Sequence, residues 1–151
     1  MNRRHLLGLA ALLPFAGIAR AEEFEVTRTE DEWRAMLTDA QYQVMRREGT
    51  EPAFSSPLDK LYDDGMYHCR GCDLAVYSSE HKYDSRTGWP SFWKAQDGAV
   101  GTKTDFKLIY PRTECHCARC GSHLGHIFDD GPQPTGKRHC LNGVSLKFRA
   151  A

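Results

Sequence analysis

The sequence predicts a mainly β domain of the α+β class, with short helices at its N-terminal end and a structural metal site made by four cysteines. Three observations predict it. From about residue 66 short β-prone runs alternate with turn residues. Upstream of them stand two helix-starting capping boxes. Four of the six cysteines fall in two C-x-x-C pairs. A chain of 151 residues suits one domain, and its 26% charged and 40% apolar content is globular rather than disordered. A formal net charge of zero gives no broad pull toward nucleic acid.

The first element is MNRRHLLGLAALLPFAGIARA. Arg3 and Arg4 form a positive start, Leu6 to Ile18 is an apolar run broken by Pro14, and Ala19-Arg20-Ala21 is an A-x-A cleavage pattern. That is the layout of a signal peptide over 1–21. The run of 13 residues is too short to cross a hydrocarbon core of roughly 30 Å as a helix, although an uncleaved anchor helix is the alternative. The paired arginines, followed by His5, Leu6 and Leu7, resemble a twin-arginine export signal that lacks the usual polar residue and phenylalanine. The expected mature domain is then 22–151, periplasmic, and free of the membrane after cleavage. The leader carries three arginines and no acid, which leaves 17 basic against 20 acidic side chains in the mature part. An oxidising compartment makes three disulfides a rival reading of the six cysteines.

The helices come next. Thr29-Glu30-Asp31-Glu32 fits a capping box, and Trp33, Met36 and Leu37 follow at helical spacing. Thr38-Asp39-Ala40-Gln41 fits a second box, opening a segment with Tyr42 and Met45 that Gly49 can close. Pro52 and Pro57 mark a loop. The β-prone runs are Met66 to Cys69, Leu74 to Tyr77, Phe106 to Tyr110 and Cys140 to Phe148, punctuated by glycines and prolines and expected to pair mostly antiparallel. Alternation along the last run puts Cys140, Asn142, Val144, Leu146 and Phe148 on one core face. An amide there needs partners, because a buried unsatisfied polar group costs roughly 1–3 kcal/mol. A thiol and an amide at the edge of a core face read as a pocket wall.

Cys69-Arg-Gly-Cys72 and Cys117-Ala-Arg-Cys120 have 44 residues between them. A two-residue gap lets one tight turn aim two thiolates at a single tetrahedral cation, with metal–sulfur distances of about 2.3 Å. Two such turns close a four-sulfur shell around one structural zinc ion, with Gly71 and Gly121 relaxing the backbone. The alternatives are local redox disulfides or long-range ones. Neither pair precedes a convincing amphipathic helix, as a thioredoxin-like motif would. Export of the folded protein would allow metal loading in the reducing cytosol.

Cys115 and Cys140 are left over. Arg138 and His139 precede Cys140, and cationic neighbours lower a thiol's pKa. His123-Leu-Gly-His126 supplies a histidine pair able to deliver protons to a leaving oxygen, or else two surface histidines in a loop. Gly88-Trp89-Pro90-Ser91-Phe92-Trp93 reads either as a core plug or as an apolar wall for a small substrate group.

The ordered set C-x-x-C, GWPSF, C-x-x-C-G-S-H-L-G-H-x-F-D-D-G-P and R-x-C-x-N-x-x-S-L-x-F resembles the methionine sulfoxide reductase B family over residues 29 to 148. The resemblance implies two small antiparallel sheets with N-terminal helices and a zinc site at Cys69, Cys72, Cys117 and Cys120. It implies thiol-dependent reduction of protein-bound methionine R-sulfoxide, a repair of exported proteins after oxidative stress. Cys140 matches the nucleophile, which passes through a sulfenic acid. His123, His126 and Asn142 match the groups around the sulfoxide oxygen, and Trp89 the wall against the substrate methyl. Phe128, Asp130 and Arg138 match residues near the pocket. The implied partners are oxidised proteins or peptides and a thioredoxin-like or other dithiol reductant; a monomer is expected.

One position departs from the family pattern. Many relatives carry a resolving cysteine just before GWPSF, where this chain has Thr87. Either Cys115 resolves the sulfenic acid or an external thiol attacks it directly. Two rival functions are a non-catalytic zinc-binding interaction module, which leaves Cys140 and Asn142 unexplained, and a disulfide oxidoreductase, which needs a second reactive thiol.

Overall fold

A computed structural model describes residues 23–151; the leader expected over 1–21 lies outside the described residues. Helices α1 (Glu30–Met36) and α2 (Asp39–Arg47) start at the two predicted boxes. Thr29 Oγ1 accepts from the Glu32 N–H at 3.3 Å, and the Thr29 N–H donates to the Glu32 carboxylate at 2.8 Å. Thr38 and Gln41 repeat the exchange at 3.3 and 3.0 Å. Each reciprocal pair satisfies two N–H groups that a helix start otherwise leaves open. Trp33, Tyr42, Val44 and Met45 are buried, whereas Met36 faces outward and Leu37, the residue after α1, turns in. The predicted closure of α2 shifts by one residue. Glu48, not Gly49, takes the left-handed conformation (φ 54°), and its carboxylate pairs with Lys103 and Lys107.

The strands form two antiparallel sheets, as the sequence leads one to expect. One holds β1 (Gly65–Cys69), β2 (Ala75–Ser78) and β9 (Leu146–Ala150) in the order β2-β1-β9. The other holds β3 (Lys82–Tyr83), β4 (Ser91–Phe92), β5 (Val100–Asp105), β6 (Arg112–Cys117), β7 (His123–Phe128) and β8 (Arg138–Leu141) in the order β3-β4-β8-β7-β6-β5. The core lies between them. Phe92 of β4 meets Tyr67 of β1 and Tyr77 of β2 with ring centroids 5.0 and 4.7 Å apart, and Leu124, Leu141 and Leu146 are fully buried around them. Aromatic contacts at this range are worth roughly 0.5–1.5 kcal/mol each beyond the area they bury.

Two predicted strands are corrected. Phe106–Tyr110 is the exposed turn that joins β5 to β6, and the strands are the less apolar segments on either side of it. Cys140–Phe148 is two strands in different sheets. After β8 the chain turns at Asn142 through a single 3-10 turn, Gly143–Ser145, and enters β9. The shared face expected for Cys140 through Phe148 therefore stops at this turn. What the turn achieves is to bring the strand carrying Cys140 beside Asn142 and then hand the chain to the other side of the core.

Candidate active site

Each C-x-x-C pair forms the turn of a hairpin, β1–β2 in one sheet and β6–β7 in the other. The two turns repeat the same bonds. The N–H of Cys69 donates to Leu74 O (2.8 Å) and that of Asp73 to Cys69 O (2.9 Å). The N–H of Cys117 donates to Ser122 O (2.9 Å) and that of Gly121 to Cys117 O (2.9 Å). The fourth residue after the first cysteine is left-handed in both, Asp73 at φ 60° and Gly121 at φ 66°. Gly71 has no such role. Its missing side chain makes room instead for Ser122 and Trp33, which lie 2.9 and 3.1 Å from where a Cβ would stand. The four Sγ atoms lie within 4.8 Å of one another, with Cys69–Cys120 at 3.6 Å and Cys72–Cys117 at 3.5 Å. A disulfide needs about 2.05 Å, and a tetrahedron with 2.3 Å bonds needs sulfurs roughly 3.8 Å apart. The donor set fits a metal ion.

The second constellation is one face of the six-stranded sheet. On β6, alternation puts Arg112, Glu114 and His116 on one face, and Thr113, Cys115 and Cys117 on the other. On β7, histidines three apart should point to opposite faces. They do not, because a bulge intervenes: Glu114 pairs with His126 and His116 with His123, so Leu124 is an extra residue in the ladder. Both histidines thus share the face of Glu114. Next in the sheet, Cys140 of β8 stands directly opposite His126, and Arg138 opposite Phe128. Directly opposed side chains have Cβ atoms about 4.5–5.5 Å apart. The sheet therefore carries Cys140 and His126 as near neighbours on one surface.

That surface floors a cleft of ≈130 Å³, whose lining includes Trp89, Phe128, Cys140, His126, Asn142 and Arg112. Trp89 is held by its indole N–H, which donates to Glu51 O at 3.0 Å. Asn142 Oδ1 accepts from the Glu51 N–H at 2.9 Å, and its Nδ2 donates to Leu124 O at 3.2 Å. The Glu51 carboxylate, itself buried, accepts from the N–H groups of Gly143 and Val144 in the turn after Cys140. One loop residue thus braces the indole wall, the amide and the strand end together. Two residues before Cys140 on the same strand face, Arg138 lies 4.3 Å above the Phe128 ring and grips Asp130 through two bonds of 2.8 and 2.9 Å.

Behind the histidines stand two carboxylates. His126 Nε2 donates to Asp105 Oδ2 at 2.8 Å, and Arg112 donates to the same oxygen at 2.6 Å. The Lys107 backbone N–H first, and then His126, hold the Asp105 carboxyl well below the usual range. His123 does not line the cleft; it packs behind His126, with ring centroids 5.3 Å apart. His123 and His116 donate through Nδ1 to the buried Glu114 at 2.6 and 2.8 Å. Burial alone would raise the Glu114 carboxyl, but those two bonds bring it down to about 2. Asp105, Arg112, Glu51 and Glu114 were not singled out in the sequence. The only signal was the period-two run Arg112-x-Glu114-x-His116, which puts three polar groups on one strand face.

The SelR domain family matches residues 37–150. Curated relatives agree. The peptide methionine sulfoxide reductase MsrB of Leptospira interrogans is 46% identical over 83% of this chain and 97% of its own length. Those of Hahella chejuensis and Methanosarcina barkeri are 45 and 47% identical over 84 and 82% of the chain, and 92 and 88% of their own lengths. This chain belongs to the methionine sulfoxide reductase B family. Within its SelR domain fall all four clustered sulfurs and the whole of the cleft.

In this member of the family the cationic neighbours do not win at Cys140. Burial pushes its thiol up, while Arg138 and a hydrogen bond from Thr87 pull the other way and lose. His139 gives no help: it points to the opposite face, where Tyr77 meets its Nδ1 at 2.9 Å and burial lowers it to about 4. Cys115 shares that opposite face. Its sulfur lies 3.3 Å from the Tyr77 hydroxyl in the core, and burial pushes it up to about 12. The structure brings Thr87 to Cys140 and does not bring Cys115 there.

Proposed function

We propose that this reductase family member repairs oxidised proteins and peptides by reducing methionine R-sulfoxide, with Cys140 as the attacking sulfur. The chain is a peptide-methionine (R)-S-oxide reductase, in keeping with the activity for which its relatives are named. One observation carries the assignment of Cys140: it opposes His126 on the floor of a cleft walled by the rings of Trp89 and Phe128. An aromatic wall suits the methyl group of the sulfoxide. The histidine suits its oxygen.

The chemistry follows from where the protons sit. Asp105 accepts from His126 Nε2, so the neutral ring keeps its lone pair on Nδ1. Burial raises Cys140 and lowers His126, so the resting pair is neutral, with the proton on sulfur. As the substrate enters, the thiol proton passes to His126 and on to the sulfoxide oxygen. The Cys140 sulfur bonds to the sulfoxide sulfur, and the substrate's sulfur–oxygen bond breaks. Oxygen and proton finish on Cys140 as a sulfenic acid as the new sulfur–sulfur bond breaks, its electron pair leaving on the thioether. A dithiol then attacks the sulfenic sulfur and releases water. Its second thiol frees Cys140, and the reductant departs as a disulfide. Asn142, pinned at both ends of its amide, and His123, behind His126, keep the oxygen site rigid. With Cys115 on the far face of the sheet, direct attack by the external thiol is the route this reading adopts.

The four clustered cysteines hold one zinc ion in this reading. Four thiolates form a closed shell that cross-links a hairpin of each sheet and leaves no position for substrate. The leader pattern over 1–21 supports export and a periplasmic site of action. A non-catalytic zinc module is the rival; it leaves a thiol opposite a histidine in an aromatic cleft without a task. The test is an epimer-resolved assay with dithiothreitol on the wild type and Cys140→Ser. Turnover of the R epimer alone, lost in the variant, is expected. Comparable activity in Cys140→Ser, or equal use of both epimers, would reject the reading.

A further inference from the structure

The cleft is large enough for the end of one side chain, so the rest of a protein substrate has to cross its rims. Those rims carry exposed apolar side chains. The turn between β5 and β6 exposes Phe106, Leu108, Ile109 and Tyr110, at 75, 48, 106 and 60% of their surface. Its two ends are Asp105 and Arg112, hydrogen-bonded to each other; Asp105 also holds His126, and Arg112 lines the cleft. The turn therefore grows directly out of the catalytic face. On the Trp89 side of the cleft Phe54 is 69% exposed. Its backbone is left-handed (φ 64°), and its N–H is tied to Gly88 O at 2.7 Å, which lays its ring against the residue before Trp89. Large apolar side chains exposed together at a site's edge mark an interaction surface.

We propose that the 106–110 turn and Phe54 form a docking surface for the apolar residues that flank an oxidised methionine in an unfolded chain. This rests on the activity proposed above. The occupant follows from chemistry. Methionine is a core residue, so its neighbours in a chain that has lost its fold are frequently apolar. Charge points the same way. The lysine within the turn, Lys107, and the nearest one before it, Lys103, are both taken by Glu48, with Lys107 at 2.7 Å. A loop built to enter an anionic membrane surface would keep such cations free for headgroups. Here the turn presents apolar side chains, and its lysine is already paired.

Two peptides test it, each with one methionine R-sulfoxide, flanked by leucine and phenylalanine in one and by serine and aspartate in the other. N-acetyl-methionine R-sulfoxide serves as the substrate that reaches no rim. The wild type should favour the apolar peptide by about tenfold in kcat/KM, through KM. Phe106→Ser with Ile109→Ser and Tyr110→Ser should bring that ratio below about twofold and leave the blocked amino acid unaffected. Phe54→Ser should lower the ratio part of the way. The readout is a ratio, so a variant of reduced overall activity still decides. No preference in the wild type, or an undiminished preference in the triple variant, overturns the proposal. So does binding of the wild type, but not the triple variant, to phosphatidylglycerol vesicles with the peptide ratio unchanged, which would assign the turn to a membrane. Failure of the wild type on all three substrates would instead remove the activity itself, and this surface with it.

Discussion

The two faces of the six-stranded sheet each carry one cysteine outside the four-sulfur cluster, and the two thiols differ in their neighbours. Cys140 lies on the cleft face, opposite His126, beside Thr87 and within reach of the Arg138 charge. Cys115 lies on the core face, fully buried, against the hydroxyl of Tyr77. Both thiols are raised by burial, Cys115 to about 12, but only Cys140 has a cation and a histidine to receive its proton. Residue type therefore says little. Strand parity, one residue in or out of step, decides which sulfur faces the cleft and which packs in the core.

The largest expected effect separates the two directly. Cys140→Ser should lower turnover by at least about 10³-fold with folding and metal content unchanged. Cys115→Ala should leave turnover with dithiothreitol within about twofold and instead lose roughly 1–2 kcal/mol of stability, read from denaturant unfolding. Loss of turnover in both variants would erase the distinction. A second break targets the fold that keeps the faces apart. Stripping the metal under reducing conditions should lower the Tm by more than about 10 °C, because the four sulfurs join hairpins of both sheets; an unchanged melting curve would mean that the cluster holds nothing.

How much of this was legible in advance follows from range. The capping boxes at Thr29 and Thr38 and the two cysteine turns are local, and the sequence displays them whole. The histidine pair is different. Its spacing of three puts His123 and His126 on opposite faces of a regular strand, and only the Leu124 bulge, set by pairing with β6, brings them together. The Asp105 partner of His126 was hidden because the apolar run beside it, Phe106–Tyr110, has the composition of a strand but lies at an exposed tip. Cys140 and Asn142 do share a cleft, though not for the reason alternation gives. The chain leaves the sheet at Asn142, and Glu51, 91 residues earlier, pins the amide there.

Two smaller effects sharpen the contrast. Asp105→Asn removes the carboxylate that fixes the His126 tautomer. It should lower kcat roughly 10–100-fold with little change in KM, a split that general loosening of the fold would not give. The smallest effect concerns the thiol itself. Its folded pKa is raised, so alkylation of Cys140 by iodoacetamide should still be accelerating above pH 9, the ordinary thiol value. Arg138→Ala removes a group that opposes the rise and should move that profile further up. A midpoint below the ordinary value would place the proton elsewhere at rest.

The most direct measurement is peptide mass mapping after one turnover with methionine R-sulfoxide, no reductant present and a sulfenic-acid trap added. Attack by Cys140 predicts the trapped adduct on the peptide bearing Cys140, with Cys115 still a free thiol. A Cys115–Cys140 disulfide, or an adduct on any other cysteine, would contradict it.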